Sequence, residues 1–222
     1  MYLNKISMYI LNSNLYFPPL ETADEEGILA IGGDLSTKRL LLAYTNGIFP
    51  WYNDDQPIIW WSPNPRFVLF PEKLKISKSM KSLLLANKFS FTINNNFEQV
   101  IKNCKTINRK NQDGTWITNE VQNAYTVLHK NGYAHSAETW LDGNLVGGLY
   151  GVKIGNIFFG ESMFSKYPNA SKFAFINYVK KLQEENVTLI DCQLHTNHLE
   201  SFGAEMIDRN EFKKMLQLHC KV

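Results

Sequence analysis

The sequence has 222 residues, of which 44% are apolar and 20% are charged, enough for one large domain or for a medium domain with a small one. This composition excludes a disordered chain, and the formal net charge of +2 confines any nucleic-acid binding to a local basic patch. The three cysteines include no C-x-x-C pair, which argues against a disulfide framework or a zinc ribbon and is typical of a reducing compartment.

Two further patterns bear on location and assembly. No apolar run approaches the roughly 20 residues that span a bilayer. The first residues, Met1 to Ile6, have no signal-peptide core and no cleavage site. We therefore expect a cytosolic protein with no membrane partner. Because no coiled-coil pattern is visible, we also expect a monomer.

Residues 1–64 differ in pattern from the rest of the chain. They contain five of the eight prolines and an acidic stretch, residues 20–34, with no basic residue. The apolar spacing predicts one helix over Leu35–Tyr44. Two prolines flank Asn64 and mark a boundary. The sequence thus predicts a small N-terminal domain at residues 1–64 and a larger domain at residues 65–222.

From Phe67 onwards the apolar periodicity is regular. It predicts strands at residues 67–70, 89–93, 135–141, 145–154, 157–163 and 187–193. It also predicts helices at residues 77–86, at 97–104, after the cap Thr118, at about 170–185 with Asn169 as the cap, and after Asp208. Helices, then an antiparallel meander, then a helix and a strand indicate an α+β fold with a mixed sheet.

Acidic residues at two strand ends are candidates for chemistry. In Leu189–Gln193, strand alternation places Asp191 and Gln193 on one face. A carboxylate there is costly unless it is paired or borders a cleft. Glu161 follows another apolar run, Ile157–Phe159. If the two strands are neighbours, the three polar side chains converge on one cleft; otherwise Asp191 caps the next turn and Glu161 faces solvent.

Aromatic and basic residues point to a nucleic-acid partner. Most tryptophans are core residues, but one on a loop beside proline or glycine can stack on a nucleobase; the candidates are Trp51, Trp60, Trp61 and Trp116. Basic residues concentrate at 73–88 and at 101–112. They are interpreted either as a surface that contacts phosphates or as a solvated helix face. They are Lys73, Lys75, Lys78, Lys81, Lys88, Lys102, Lys105, Arg109 and Lys110.

Other motifs do not support a site. His195 and His198 near Asp191 are a histidine pair three residues apart with no further Cys/His cluster, so we predict no metal site. Alternation turns Cys192 to the face opposite Asp191 and Gln193, which predicts a buried, inert thiol. The sequence has no glycine-rich nucleotide-binding loop, so we do not expect the protein to activate its substrate with ATP.

Six sequence blocks together resemble the leucyl/phenylalanyl-tRNA–protein transferases. They occur in the order of that family and extend from about residue 17 to residue 204, nearly the whole chain. The blocks are Gly47-Ile48-Phe49-Pro50-Trp51, Trp60-Trp61-Ser62-Pro63-x-Pro65-Arg66, Gly114-Thr115-Trp116-Ile117-Thr118, Val146-Gly147-Gly148-x-Tyr150-Gly151, Gly160-Glu161-Ser162-Met163-Phe164-Ser165 and Leu189-Ile190-Asp191-Cys192-Gln193. The resemblance implies a small N-terminal domain packed on a domain of the acetyltransferase (GNAT-like) fold, whose mixed, mostly antiparallel sheet is flanked by helices.

The resemblance also implies an activity and its partners. A leucyl, phenylalanyl or, less often, methionyl group moves from aminoacyl-tRNA to the α-amine of a protein that begins with Arg or Lys, which marks bacterial proteins for N-degron proteolysis. Transfer from an ester to an amide runs downhill, so we expect no cofactor and no metal. Two alternatives stay open: an acyl-CoA-dependent acyltransferase of the same fold, which the glycine-free segment 165–170 disfavours, and a non-catalytic tRNA-binding module.

The resemblance assigns roles residue by residue. Asp191 and Gln193 match the catalytic pair, and Glu161 matches an acidic residue of the active site. We expect Gln193 to hold the attacking amine and Asp191 to polarise Gln193 or take the proton. Glu161 then orients the amine or favours a cationic first side chain. The other implied roles are binding of the 3′-terminal adenosine by Trp51 and Trp116, a side-chain pocket of Phe158, Gly160, Tyr178, Leu182, Ile190 and Leu149, and tRNA phosphate contacts by Lys78 and Lys81. In that pocket the family has Met at position 149 and Phe at 178 and 182.

Overall fold

The computed structural model describes residues 8–107 and 115–221. Met1 to Ile6, Arg109, Lys110 and Gly114, which were singled out above, lie outside the described residues. The described strands are β1 Tyr9–Leu11, β2 Ile28–Gly32, β3 Phe49–Pro50, β4 Ile59–Trp61, β5 Arg66–Leu69, β6 Ser90–Ile93, β7 Ala134–Leu141, β8 Asn144–Ile154, β9 Ile157–Ser165, β10 Leu189–Gln193 and β11 Glu205–Ile207. The described α-helices are α1 Thr37–Thr45, α2 Lys78–Leu85, α3 Phe97–Thr106, α4 Asn119–Lys130, α5 Ala170–Glu184, α6 Asn197–Glu200 and α7 Arg209–His219.

Two sheets organise the chain. The N-terminal segment forms a small sheet of order β1-β2-β4-β3, and the rest forms a larger sheet of order β11-β5-β10-β9-β8-β7-β6. In the larger sheet β9 and β10 run parallel, and the other neighbouring pairs run antiparallel. Helices α3, α4 and α7 pack on one face, and α2 and α5 pack on the other. The predicted α+β class with a mixed, mostly antiparallel sheet is therefore confirmed.

The predicted helix ends are correct in part. Thr118 caps α4, because its hydroxyl accepts the backbone N–H of Val121. Asn169 precedes α5 as predicted, but its φ is +66° and its side chain makes no capping hydrogen bond. The predicted side-chain cap is therefore wrong: asparagine tolerates the left-handed region better than most residues, and here it supplies that backbone turn. The short elements α6 and β11 were not predicted, because three or four residues give too little periodicity.

A single hydrophobic core joins the small sheet to one face of the larger sheet. Tyr44, Phe49 and Trp60 of the N-terminal segment belong to the same buried cluster as Phe159 and Leu189 of the larger sheet. The opposite face of the larger sheet packs against α5 and α2 in a second cluster. The predicted division at residue 64 stays a prediction. In the described ranges no helix combines the length and the apolar character that a bilayer crossing needs.

The parallel strands β9 and β10 separate partway along their length. Their pairing runs from Leu189 opposite Ile157 to Asp191 opposite Phe159. Beyond that point β9 continues beside β8 as far as Ser165, whereas β10 ends two residues later with an irregularity in its pairing to β5. The separation interrupts the sheet and opens a space between the two strands.

Candidate active site

A pocket of about 440 Å³ lies where β9 and β10 separate. Its polar wall includes Glu161, Asp191 and Gln193, so the predicted convergence of these three side chains on one cleft is confirmed. Because the pocket lies at a break in the sheet, side chains from both faces border the same space. Much of the remaining wall is aromatic or aliphatic, and includes Phe49, Leu149, Phe158, Met163, Phe175 and Ile190.

Asp191 is fully buried and is held by Arg66. Arg66 donates from Nε to Oδ1 over 2.8 Å and from Nη2 to Oδ2 over 2.7 Å. The ring centres of Phe49 and Phe212 lie 4.7 and 4.8 Å from the guanidinium carbon. The backbone N–H of Gln193 donates to Oδ1 over 2.9 Å. Because the Arg66 guanidinium balances the charge of this carboxylate, the geometry favours a positioning role over that of a proton acceptor.

Gln193 directs its side chain from the end of β10 towards Glu161. Its φ is +63°, in the left-handed region that few residues other than glycine enter. The hydrogen bond from its backbone N–H to Asp191 supports that conformation. Its Nε2 donates to Oε1 of Glu161 over 2.9 Å. Since the amide nitrogen is committed to Glu161, the amide oxygen is the end that can accept a hydrogen bond from an amine.

Glu161 lies at the centre of a network of hydroxyl and amide donors. The Tyr44 hydroxyl of α1 donates to Oε1 over 2.7 Å, and the Tyr125 hydroxyl of α4 donates to Oε2 over 3.1 Å. Burial raises the pKa of Glu161 to about 7, and the charge of Asp191 adds to the rise, while the hydrogen bonds from Tyr44, Tyr125 and Gln193 oppose it. A pocket carboxyl group that titrates near neutrality is suited to general base catalysis.

The other face of the separating strands is apolar. Leu149, Phe158 and Ile190 line the pocket and are at most 3% exposed. Gly160 also borders the pocket, and a β-carbon added there would lie 3.5 Å from the carbonyl oxygen of Asp191 and otherwise meet open space. This wall has the character expected of a site for an apolar side chain.

Two predicted members of the side-chain pocket lie behind that wall. Tyr178 and Leu182 are buried on α5 and do not border the pocket. The Tyr178 ring packs edge-on against Phe158, with ring centres 5.1 Å apart. Tyr178 can therefore affect a bound side chain through Phe158.

The predicted tryptophans are of two kinds. Trp51 and Trp116 border the pocket, and Trp51 is 37% exposed. The ring centre of Trp61 lies 5.4 Å from that of Trp51, and its Nε1 donates to the Trp51 carbonyl oxygen. Trp60 is fully buried and donates to the carbonyl oxygen of Gly32, so it is a core residue rather than a stacking platform. Trp51 and Trp116 remain the candidates for contact with a nucleobase.

The predicted basic surface lies outside the pocket wall. Lys78 and Lys81 are exposed on α2, which packs against α5. Within the same run of lysines, Lys73 pairs with an acid, Glu205, and Lys88 donates to a tyrosine hydroxyl. Phosphate contact by Lys78 and Lys81 remains a prediction.

Cys192 and the two nearby histidines do not form a metal site or an activated thiol. Cys192 is half-buried and borders the same pocket as Asp191 and Gln193, so the prediction of a buried thiol is wrong. Its side chain packs against the apolar cluster, and burial raises the pKa of the thiol well above the ordinary value, which supports the prediction of an inert thiol. His195 pairs with Glu200 near the surface. Burial and the nearby Lys172 lower the pKa of His198. No group of three His, Cys, Asp or Glu side chains suited to a metal ion occurs in residues 8–107 and 115–221.

Four residues of the site were assigned no role from the sequence: Arg66, Phe49, Tyr44 and Tyr125. Each lies in an apolar segment and is buried, so the pattern around it indicates only a core position. Arg66 offered one usable signal, because a charged residue at the start of a buried strand needs a partner of opposite charge.

Comparison with known proteins adds evidence from sequence. One family model, leucyl/phenylalanyl-tRNA protein transferase, matches residues 68–217, and a second, the N-terminal domain of the same proteins, matches residues 33–64. The leucyl/phenylalanyl-tRNA–protein transferase of Flavobacterium johnsoniae is 56% identical over 210 residues, 95% of this chain and 99% of that protein. The protein of the same name from Christiangramia forsetii is 57% identical over 211 residues, 94% of this chain and 100% of the relative.

Similar solved structures are more distant. FemX is 11% identical, with a TM-score of 0.49 over 78% of this chain and 66% of that one. A GCN5-related N-acetyltransferase from Kribbella flavida is 9% identical, with a TM-score of 0.37 over 74% of this chain and 58% of that one. At such distances these similarities do not bear on function, which the sequence relatives address.

Proposed function

The chain belongs to the leucyl/phenylalanyl-tRNA–protein transferase family, and we propose that it moves leucine or phenylalanine, and less often methionine, from aminoacyl-tRNA to proteins that begin with arginine or lysine. Its substrates as a member of the family are an aminoacyl-tRNA and a protein. We further propose that it acts as a monomer in the cytoplasm, where the added residue marks the acceptor for N-degron proteolysis.

One observation carries this proposal: three kinds of surface meet in one pocket. The apolar wall formed by Leu149, Phe158 and Ile190 suits a leucyl or phenylalanyl side chain. Trp51 and Trp116 supply aromatic surface for the 3′-terminal adenosine. The polar groups border the same pocket, where the ester that joins the amino acid to the ribose would be held.

The polar groups support a stepwise transfer. The neutral α-amine attacks the ester carbonyl carbon, and its excess proton must be removed as the new bond forms. The Gln193 amide oxygen accepts a hydrogen bond from the amine, and Glu161 takes the proton. The ester carbon–oxygen bond then breaks, and the ribose oxygen recovers one proton. Of the two roles that the sequence left open for Asp191, this proposal adopts the one in which it polarises and positions Gln193, because its carboxylate is paired with the Arg66 guanidinium and accepts the Gln193 backbone N–H.

Charge supports the proposed choice of partners. Asp191 is already paired with Arg66, and so Glu161 is the acid without a basic partner among the described residues of the pocket wall. A cationic first residue of the acceptor is attracted to such a group when it is ionised.

The exposed lysines on α2, Lys78 and Lys81, would contact tRNA phosphates, which makes tRNA binding sensitive to salt.

The test is transfer of labelled leucine from Leu-tRNA to a protein with an N-terminal Arg, with an otherwise identical protein that begins with Gly as the control. We expect label on the Arg protein alone. The same assay with phenylalanine and methionine ranks the donors. If neither protein were labelled although the tRNA bound, the chain would be a binding module rather than a transferase. Full turnover by both Asp191→Ala and Gln193→Ala, with unchanged tRNA binding, would reject the roles given to those residues.

A further inference from the structure

Two buried tyrosines contact Glu161, and the transfer step described above gives them no role. Tyr44 and Tyr125 are fully buried and come from α1 and α4, which lie on the same face of the larger sheet. Their hydroxyls bond to the two different oxygens of the Glu161 carboxyl group, and they also bond to each other. Burial keeps both phenols neutral, because it raises their pKa values well above the ordinary range. The three side chains therefore close a ring of three oxygen–oxygen contacts.

The number of hydrogens in this ring depends on Glu161. When Glu161 is ionised, the ring holds two hydroxyl hydrogens for three contacts, because each tyrosine has one. If both hydroxyls donate to the carboxylate, the Tyr44–Tyr125 contact has no hydrogen. When Glu161 is protonated, the ring holds three hydrogens for three contacts. Each of the three side chains can then donate one hydrogen bond to the next in one direction, an arrangement in which hydrogen bonds strengthen one another.

We propose that Tyr44 and Tyr125 are positioning residues that form, with Glu161, a hydrogen-bonded ring that is completed by the proton removed from the acceptor amine. The inference rests on the proposed function and specifies how its proton is held. As the amine nitrogen bonds to the carbonyl carbon, one N–H proton passes to Glu161 and the ring gains its third hydrogen. As the carbon–oxygen bond to the ribose breaks, that oxygen takes up one proton, and the ring returns to two.

Other groups near the ring already have hydrogen-bond or ion-pair partners, and they do not supply the missing hydrogen. The Gln193 amide donates to Oε1 from outside the ring. Asp191 adds negative charge, which Arg66 balances at hydrogen-bond distance. Tyr52 lies near Tyr125, and its hydroxyl is directed to another acid, Glu120. The proton that completes the ring must therefore come from the pocket, where the amine binds.

Removing one hydroxyl already breaks the ring of hydrogen bonds, so removing the second hydroxyl should have little further effect on kcat. We expect Tyr44→Phe and Tyr125→Phe each to lower kcat by about 10-fold to 100-fold, less than the roughly 100-fold to 10,000-fold that a general base itself contributes, because Glu161 remains in place. We expect the double variant to lower kcat no further than the worse single variant. The KM values for Leu-tRNA and for the acceptor should change by less than about two-fold, because neither hydroxyl borders the pocket. Losses in kcat that multiply in the double variant would overturn the ring, as would single variants with unchanged kcat.

Two controls separate this role from a merely structural one. Tyr133→Phe removes a hydroxyl next to the same core, outside the ring, and should leave kcat unchanged. Carbon-13 NMR of the unaltered protein avoids the risk that a variant misfolds. In a pH titration followed in this way, the ring-carbon signals of Tyr44 and Tyr125 should shift together with the signal of the Glu161 carboxyl carbon. Tyrosine signals that stay constant while the Glu161 signal shifts would contradict the ring. Unaltered protein that transfers no leucine would instead reject the proposed function.

Discussion

The two faces of the β9–β10 junction differ sharply in chemistry although they belong to the same strands. On one face Asp191 and Glu161 join Arg66 and the two tyrosines in a polar network. On the other face, Ile190 and Phe158 pack with the apolar residues of α5. Neighbouring residues in the chain thus serve opposite surfaces, because successive side chains of a strand point to opposite faces.

This difference assigns separate tasks to the two faces. An apolar wall can recognise a side chain only by size and shape, with a discrimination of about 1–3 kcal/mol per methylene. A buried polar network needs complete partners and fixes a few atoms in place. The opening between β9 and β10 lets both act on one substrate. Substitutions on the polar face should therefore change the rate of transfer, and those on the apolar face should change the choice of amino acid.

The largest effect is expected at Glu161. Glu161→Gln keeps the shape of the side chain and removes the proton acceptor, so kcat should fall by about 100-fold to 10,000-fold. Binding of Leu-tRNA should be unchanged, because the apolar wall and the tryptophans remain. Single-turnover transfer and a separate tRNA-binding titration measure the two quantities. If the Glu161→Gln enzyme were fully active, the general base would have to be another group on the polar face.

The next effect is on folding, through the buried pair of Arg66 and Asp191. Arg66→Met leaves the carboxylate buried without its partner, which should lower the free energy of unfolding by about 3–5 kcal/mol. Adding Asp191→Asn to that variant removes the uncompensated charge and should restore part of the loss. Denaturant unfolding of the two single variants and the double variant measures the coupling. Additive losses would mean that the pair is not coupled as the geometry indicates.

The longer helices and strands from Phe67 onwards, including the strand that carries Asp191, could be predicted from the sequence because their signals are local. Alternation in Leu189–Gln193 predicted that Asp191 and Gln193 share a face, and both border the pocket, although the strand is irregular between them and Gln193 has a φ of +63°. The partners of these residues could not be predicted, because Tyr44 lies 117 residues from Glu161 and Arg66 lies 125 residues from Asp191. Only the tertiary packing brings them together. That packing also shows that the charge of Asp191 is balanced by Arg66, which the position of Asp191 in a strand does not reveal.

Glu161 should also make stability depend on pH. Its pKa is raised from 4.5 to about 7 in the folded protein, so the folded state holds its proton more tightly than the unfolded state does. The stability that this group contributes is present below pH 4.5 and is lost as the pH rises through 7, a difference of about 3 kcal/mol. Subtracting the unfolding free energy of Glu161→Gln from that of the unaltered protein at each pH isolates the contribution of Glu161. A difference that stays constant between pH 4.5 and pH 8 would contradict the raised pKa.

The smallest expected effect concerns selectivity, and it tests the apolar face alone. In Gly160→Ala the new methyl group lies in ordinary contact with the Asp191 carbonyl oxygen and otherwise projects into open space, so the fold should be kept. Because the methyl group narrows the pocket, transfer of phenylalanine should fall relative to leucine by about 10-fold, as expected for the space of one methylene. The ratio of kcat/KM for Phe-tRNA and Leu-tRNA measures this.

Gly151→Ala is the matched control for that substitution. Its β-carbon would lie 2.2 Å from the Phe159 carbonyl oxygen and 2.4 Å from Cζ of Phe158, closer than atoms in contact can approach. We expect this variant to lose stability and to lose leucine and phenylalanine transfer equally, because the strands themselves must shift. An equal loss of both donors in Gly160→Ala as well would place the amino-acid side chain away from this wall. A loss confined to phenylalanine would show that selection occurs on the apolar face while the polar face keeps its rate.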